Sequence, residues 1–224
     1  MKFTLKGPFK KRQKRQVDPK ILLDKLEESL NYVEMRRVAT RLRQICTEKK
    51  KQSVAFLSFG CGEGKSMVVA GLAMFMARNF GQKILIVETA TYHRAGAVKL
   101  DALFQLDQVE LGQPTPSPVF PGVDMIRIKD RARKGYYSRD THDVEVVLAE
   151  VGGKYDCILV DTAALELKNR QNYDAQAIAG CVDGVVIVKS RLDLSPEFEA
   201  QVLEDLRSMD LEFLGVIANS GALA

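Results

Sequence analysis

Cysteine and histidine are scarce in this chain of 224 residues. The four cysteines, Cys46, Cys61, Cys157 and Cys181, include no pair at metal-ligand spacing, and their scatter suits a reduced cytoplasm. His93 and His142 also lack metal spacing, and no Ser/His/Asp arrangement can be argued from the sequence. No uninterrupted apolar stretch reaches about 18 residues, so no membrane span is expected. The N-terminus is basic without a following apolar segment, so no signal peptide is expected either. Acids are missing from the first fifteen residues, where Lys2, Lys6, Lys10, Lys11, Arg12, Lys14 and Arg15 stand. Removing those seven charges from the net +4 leaves the remainder at −3. The basic character therefore belongs to a tail and not to a nucleic-acid face, and no nucleic-acid partner is expected.

What is present is a core-forming composition, 46% hydrophobic, enough for one α/β domain with an extension. Residues 58 to 66 read Ser-Phe-Gly-Cys-Gly-Glu-Gly-Lys-Ser. They follow the apolar run Val54–Leu57 and precede a helical pattern from Met67 to Phe80, closed by Gly81. Strand, glycine loop and helix are the setting of a phosphate cradle, in which backbone N–H groups converge on an oxyanion at a helix N-terminus. Gly60, Cys61, Gly62, Glu63, Gly64, Lys65, Ser66 and Met67 are the candidate nucleotide contacts. Lys65 is the candidate cation for the β- and γ-phosphates, and Ser66 offers a hydroxyl to magnesium. The first glycine of the strict pattern is Phe59 here, and the competing reading is a glycine-rich turn with a surface lysine. Cys61 reads as a small loop residue, with a redox-sensitive thiol at a helix N-terminus as the alternative.

Further apolar runs at Ile84–Glu88, Cys157–Asp161, Gly184–Val188 and Leu214–Ala218 read as strands, with a short one at Met125–Ile128. Helical patterns occupy Val144–Val151 and Leu194–Met209, the latter with Ser195 as cap and Pro196 first. Residues 112–122 read as a proline-rich loop. A helix is expected from Asp18-Pro19, with Leu22, Leu26, Leu30 and Val33 on one stripe continuing through Val38, Leu42 and Ile45, to pack on the domain or on a neighbouring subunit. The chain thus divides into a flexible basic tail (1–17), an N-terminal helix with an assembly role (18–50) and a nucleotide-binding domain (51–224). The tail is either solvated or a contact for an anionic membrane surface.

Strands alternating with helices predict an α/β fold, a mostly parallel sheet with helices on both faces. Right-handed crossovers then bring the loop, Glu88 and Asp161 to one edge. Asp161 is a candidate magnesium ligand, the alternative being a cap for Thr162-Ala163. Glu88 is either a metal and catalytic carboxylate or a buried structural acid satisfied by Ser66 or the loop. Asn219 either reads a purine edge or belongs to a turn.

Together these residues resemble the cytoplasmic tyrosine autokinases of bacterial capsule and exopolysaccharide export, within the MinD/ParA class of P-loop ATPases. That family's loop commonly reads Ser-x-x-Pro-Gly-Glu-Gly-Lys-Ser, matched by Ser58 and Gly62–Ser66. Its magnesium motif is matched by Ile158-Leu159-Val160-Asp161-Thr162. Its Glu-x-x-Arg-x-x-Arg assembly motif is matched at Glu34 and Arg37, with Thr40 in the last position and Arg41 beside it. The resemblance implies ATP and magnesium as cofactors, Lys65, Glu88 and Asp161 as catalytic residues, and Ser66, Asp161 and Glu88 around the metal. It also implies self-assembly, a membrane-embedded polysaccharide co-polymerase or export partner, and a cytoplasmic place with the inner membrane face as a peripheral contact. Two departures weaken catalysis: Glu88-Thr89-Ala90 stands where the family has Asp-x-Asp, and no tyrosine-rich segment follows the last strand, leaving Tyr136-Tyr137 as a weak substitute target. The readings are an ATP-dependent tyrosine kinase or weak ATPase, a non-catalytic ATP-binding regulator, and a MinD/ParA-type positioning ATPase. Gly60, where the last class carries a second lysine, argues against the third.

Overall fold

The computed structural model describes residues 19–48, 52–89, 100–104, 116–128, 141–167, 172–190, 196–209 and 211–219. The basic tail, Ala90, His93, most of the basic stretch with Tyr136-Tyr137, the cap Ser195 and the segment after Asn219 lie outside them.

Seven strands form one sheet: β1 (Ser53–Leu57), β2 (Ile84–Glu88), β3 (Ser117–Phe120), β4 (Val123–Arg127), β5 (Cys157–Asp161), β6 (Gly184–Ser190) and β7 (Phe213–Asn219). Their order is β3-β4-β2-β5-β1-β6-β7. All pairings are parallel except β3 with β4. Around them lie α1 (Pro19–Ser29), α2 (Val33–Glu48), α3 (Lys65–Phe80), α4 (Leu100–Leu103), α5 (His142–Val151), α6 (Ala175–Ala179) and α7 (Pro196–Ser208).

The two-residue period of the strands divides the core between the faces. Val54, Phe56, Ile84, Ile86, Cys157 and Leu159 point to one side, where α3 packs with α1 and α2 outside it. Ala55, Leu85, Val87, Ile158 and Val160 point to the other side, against Val144, Val147 and Val151 of α5. Leu57, Val185 and Ile187 meet Val202 and Leu206 of α7. β1, β2 and β5 are buried along their whole length, as continuous apolar runs in a doubly covered parallel sheet must be. At the N-terminal edge the Asp183 carboxylate accepts from the Gln52 and Ser53 amides and the Ser53 hydroxyl, joining the starts of β1 and β6.

The expected N-terminal helix is two helices. α1 ends at Ser29, whose hydroxyl donates to Leu26 O, and the chain tightens through Leu30 N to Glu27 O, Asn31 N to Glu28 O and Tyr32 N to Ser29 O. These are three-residue closures, tighter than an α-helix and typical of its end. The break takes Val33 out of the stripe, where it is exposed; the buried face resumes at Met35 and Ala39 and runs through the expected Leu42 and Ile45 to Cys46, with Val38 packed against the core. The stripe packs on α3, joining one core with it. Glu34, Arg37 and Arg41 face solvent. The proline-rich loop also carries a strand that sequence did not reveal, β3, antiparallel on the sheet's edge, where a proline is tolerated.

Candidate nucleotide-binding site

β1 delivers the chain to the C-terminal edge of the sheet at Leu57, and the loop turns there. Gly62 has φ of 86° and Gly64 has φ of 78°, left-handed conformations that side-chain-bearing residues rarely adopt. These two turns lead directly into α3, which begins at Lys65, two residues earlier than the sequence pattern places it. The first amides of a helix have no intrahelical partner, so those of Lys65, Ser66 and Met67 remain to face the loop. The first closing bond is Val68 N to Gly64 O. The Met67 side chain is buried in the core.

Lys65, Ser66 and Asp161 come together across more than ninety residues of sequence. The Ser66 hydroxyl lies 2.7 Å from Asp161 Oδ2, and Lys65 Nζ lies 3.3 Å from Asp161 Oδ1. Lys65 Nζ also donates to the Thr162 carbonyl oxygen. Thr162 is itself fixed by its hydroxyl to Phe56 O at 2.7 Å. Asp161 is fully buried, and its Oδ1 accepts no hydrogen bond among the described residues. A buried carboxylate oxygen with a hydroxyl beside it is a hard-oxygen donor set, which fits magnesium. Among the described residues no group of three or more His, Cys, Asp or Glu side chains forms a metal cage. An ion here would take the rest of its shell from ligand and water, as magnesium commonly does.

Glu88 and Asp161 are register partners on adjacent strands, and Arg127 is the partner of Glu88 on the next one. The three side chains therefore form a row on the α3 side of the sheet. The carboxylate of Glu88, fully buried, is engaged by Arg127. This differs from the expected partners of a structural Glu88, Ser66 or the loop backbone.

Glu63 does not turn its side chain outward. It is 1% exposed, and its carboxylate accepts from Gly60 N at 3.1 Å and from Ser190 N at 3.4 Å. Burial pushes its carboxyl pKa above the ordinary value, against the lowering effect of those amides. Only its backbone is available to a ligand. Asn219 is buried against the same loop, its amide nitrogen donating to Glu63 O at 2.9 Å. The end of β7 thus braces the cradle.

Two residues of the site were not foreseen. Arg127 is one; its role depends on β4 lying beside β2, a neighbour relation that periodicity does not carry. Glu166 is the other. Leu165 N and Glu166 N donate to Ser58 O and Phe59 O, and the Glu166 carboxylate accepts from Cys61 N at 2.7 Å. The segment after β5 thereby lies against the phosphate loop and sets an exposed acid on one of its amides.

With this geometry in view, comparisons place the chain. No family model matches the sequence. The tyrosine-protein kinase YwqD of Bacillus subtilis strain 168 is 24% identical over 204 residues, spanning 88% of this chain and 84% of that protein. The solved BceF tyrosine kinase domain superposes with a TM-score of 0.65 at 19% identity, over 83% of this chain and 76% of that one. The septum site-determining protein MinD from Pyrococcus horikoshii OT3, complexed with Mg-ADP, superposes with a TM-score of 0.57 at 19% identity, over 76% and 72% of the two chains. The fold is that of bacterial tyrosine-kinase domains and MinD/ParA ATPases. The resemblance read from the phosphate loop and the Asp161 strand thus recurs, as a likeness of fold, over most of the chain. No helix among the described residues is long and apolar enough to cross a membrane.

Proposed function

We propose that the protein binds ATP with magnesium and acts as a tyrosine-kinase-like P-loop protein with weakened phosphoryl transfer. The observation that carries this reading is the convergence of Lys65 and Ser66 on Asp161. In it, the amides from Cys61 to Met67 cradle the phosphates, and Lys65 leaves Asp161 and Thr162 to meet the β- and γ-oxygens. Ser66 and Asp161 would hold magnesium, which supplies neutralisation of phosphate charge when bound. Asn219 keeps the loop in place and lies at the edge where a base would stack. Arg127 supports weakened catalysis. It neutralises Glu88, the remaining acid of the second strand motif, and phosphoryl transfer depends mainly on positioning and charge.

The same ion pair favours a second reading, a non-catalytic regulator that binds ATP and changes its assembly state. The exposed Glu34, Arg37 and Arg41 of α2 support self-assembly. The basic residues 1–17 support contact with the inner face of a membrane beside a polysaccharide export partner. The test is ATP and magnesium with the purified protein, following nucleotide binding by calorimetry, released phosphate and phosphotyrosine. Products that disappear in Lys65→Ala support the kinase or ATPase. Binding without either product supports the regulator. Absence of binding to the wild type rejects both.

A further inference from the structure

Far from the phosphate loop, at the opposite edge of the sheet, two thiols meet. Cys46, in the last turn of α2, and Cys157, the first residue of β5, place their sulfurs 3.0 Å apart. They are 111 positions apart in sequence, and both are free thiols. A disulfide requires about 2.05 Å between sulfurs, so bonding asks for a movement of roughly 1 Å. Cys46 also lines a cavity of about 480 Å³ with Thr47, Gln52, Gln82, Lys154 and Asp156. That polar cavity has room for a small hydrogen-bonding oxidant beside an otherwise buried sulfur. Cys157 is fully buried, so reagent can reach the pair only from the Cys46 side.

We propose that Cys46 and Cys157 are an oxidative modification site, at which hydrogen peroxide converts the thiol pair into an internal disulfide joining α2 to β5. The contact makes the two sulfurs unequal. Hydrogen bonding from Cys157 holds the Cys46 thiol below its ordinary pKa, against burial and the charge of Asp183. The same contact and complete burial push Cys157 up, with Asp156 adding to the rise. Cys46 is therefore the nucleophile. Its thiolate attacks one peroxide oxygen, the O–O bond breaks, and the released hydroxide takes a proton to leave as water. The resulting sulfenic acid is attacked by the Cys157 sulfur. The S–O bond breaks, the Cys157 proton goes to the departing hydroxide, and a second water leaves. Two thiols and one peroxide give one disulfide and two waters. The product closes a long loop and fastens α2, with its exposed Glu34, Arg37 and Arg41, to the core.

The experiment is peroxide titration of the purified full chain, followed by alkylation, non-reducing proteolysis and mass spectrometry. The expected result is a linked peptide pair containing Cys46 and Cys157, two hydrogens lighter than the sum of the free peptides and released by dithiothreitol. The oxidised protein should also melt higher by about 5 °C or more, reversibly, because the cross-link restricts the unfolded chain. Cys46→Ser and Cys157→Ser should each abolish both effects. Oxidation confined to Cys61 or Cys181, or Cys46 carried to sulfinic acid without the linked peptide, overturns the proposal. The wild-type mass measurement decides the matter even if a variant folds poorly.

Discussion

Arg127 clasps Glu88 from the neighbouring strand, its Nε and Nη2 each 2.5 Å from Glu88 Oε2. Glu88 is fully buried and the Arg127 side chain is 17% exposed. Removing the guanidinium takes a close counter-charge away from a buried carboxylate, so Arg127→Met is expected to cost about 3 kcal/mol in urea unfolding. Adding Glu88→Gln should recover most of that loss. A double variant no more stable than Arg127→Met would mean that the arginine acts through packing and not through charge.

Gly71 faces the two N-terminal helices from α3. A Cβ there would lie 3.0 Å from Met35 Cε and 3.3 Å from Leu26 Cδ1. The methionine end can yield, and alanine gains about 1 kcal/mol of helix propensity over glycine. Gly71→Ala should therefore change stability little. Gly71→Leu should lose about 2 kcal/mol through overpacking and loosen α1 and α2, read as faster proteolysis before residue 52. If both variants match the wild type in melting and proteolysis, the helices do not pack on this face in solution.

The contrast between these positions explains what the sequence made legible. Ile84–Glu88 and Cys157–Asp161 appear in the structure with the bounds their apolar runs predict. A strand buried on both faces admits only such residues, and the terminal carboxylate, buried like the rest, marks the edge where the strand meets the site. The phosphate loop was legible because its glycines have a backbone task that few other residues perform. The break near Leu30 was not, because Val33 prolongs the stripe on paper, whereas the three-residue closures turn the chain there and leave Val33 exposed. Arg127, Glu166 and the Cys46–Cys157 contact were hidden for another reason. Each depends on which strand or loop lies beside which, information held by topology and not by local period.

Glu63 gives the loop a pH signature. Its raised folded-state pKa means that the native protein holds a proton more tightly than the unfolded chain does. Between the ordinary glutamate value of 4.5 and the raised one, the native state binds more protons, so stability falls as pH rises. Relative to Glu63→Gln, the wild type should therefore lose melting temperature as pH is raised from about 4 upward. Absolute offsets between the two proteins do not matter; the slope of their difference does. A flat difference, or one rising with pH, would show that the Gly60 and Ser190 amides outweigh burial at this carboxylate.

Glu166 sets a negative charge at the mouth of the proposed cradle, its carboxylate 2.7 Å from Cys61 N. Under the reading given above, that amide belongs to the nucleotide's phosphates, so acid and ligand compete for one donor. Glu166 is exposed, and water weakens the repulsion. At roughly 1 kcal/mol between screened like charges, Glu166→Ala should bind ATP about fivefold more tightly. ADP, with less charge, should respond less. Raising the ionic strength should narrow the ATP gap between variant and wild type, because the charges at the mouth are within reach of salt. Glu166→Gln separates charge from hydrogen bonding: if repulsion dominates, it behaves like the alanine variant, whereas a hydrogen bond that merely closes the loop leaves it like the wild type. Weaker ATP binding by both variants would reverse the assignment and make Glu166 a support of the bound state, holding the loop open through Cys61 in place of competing for it.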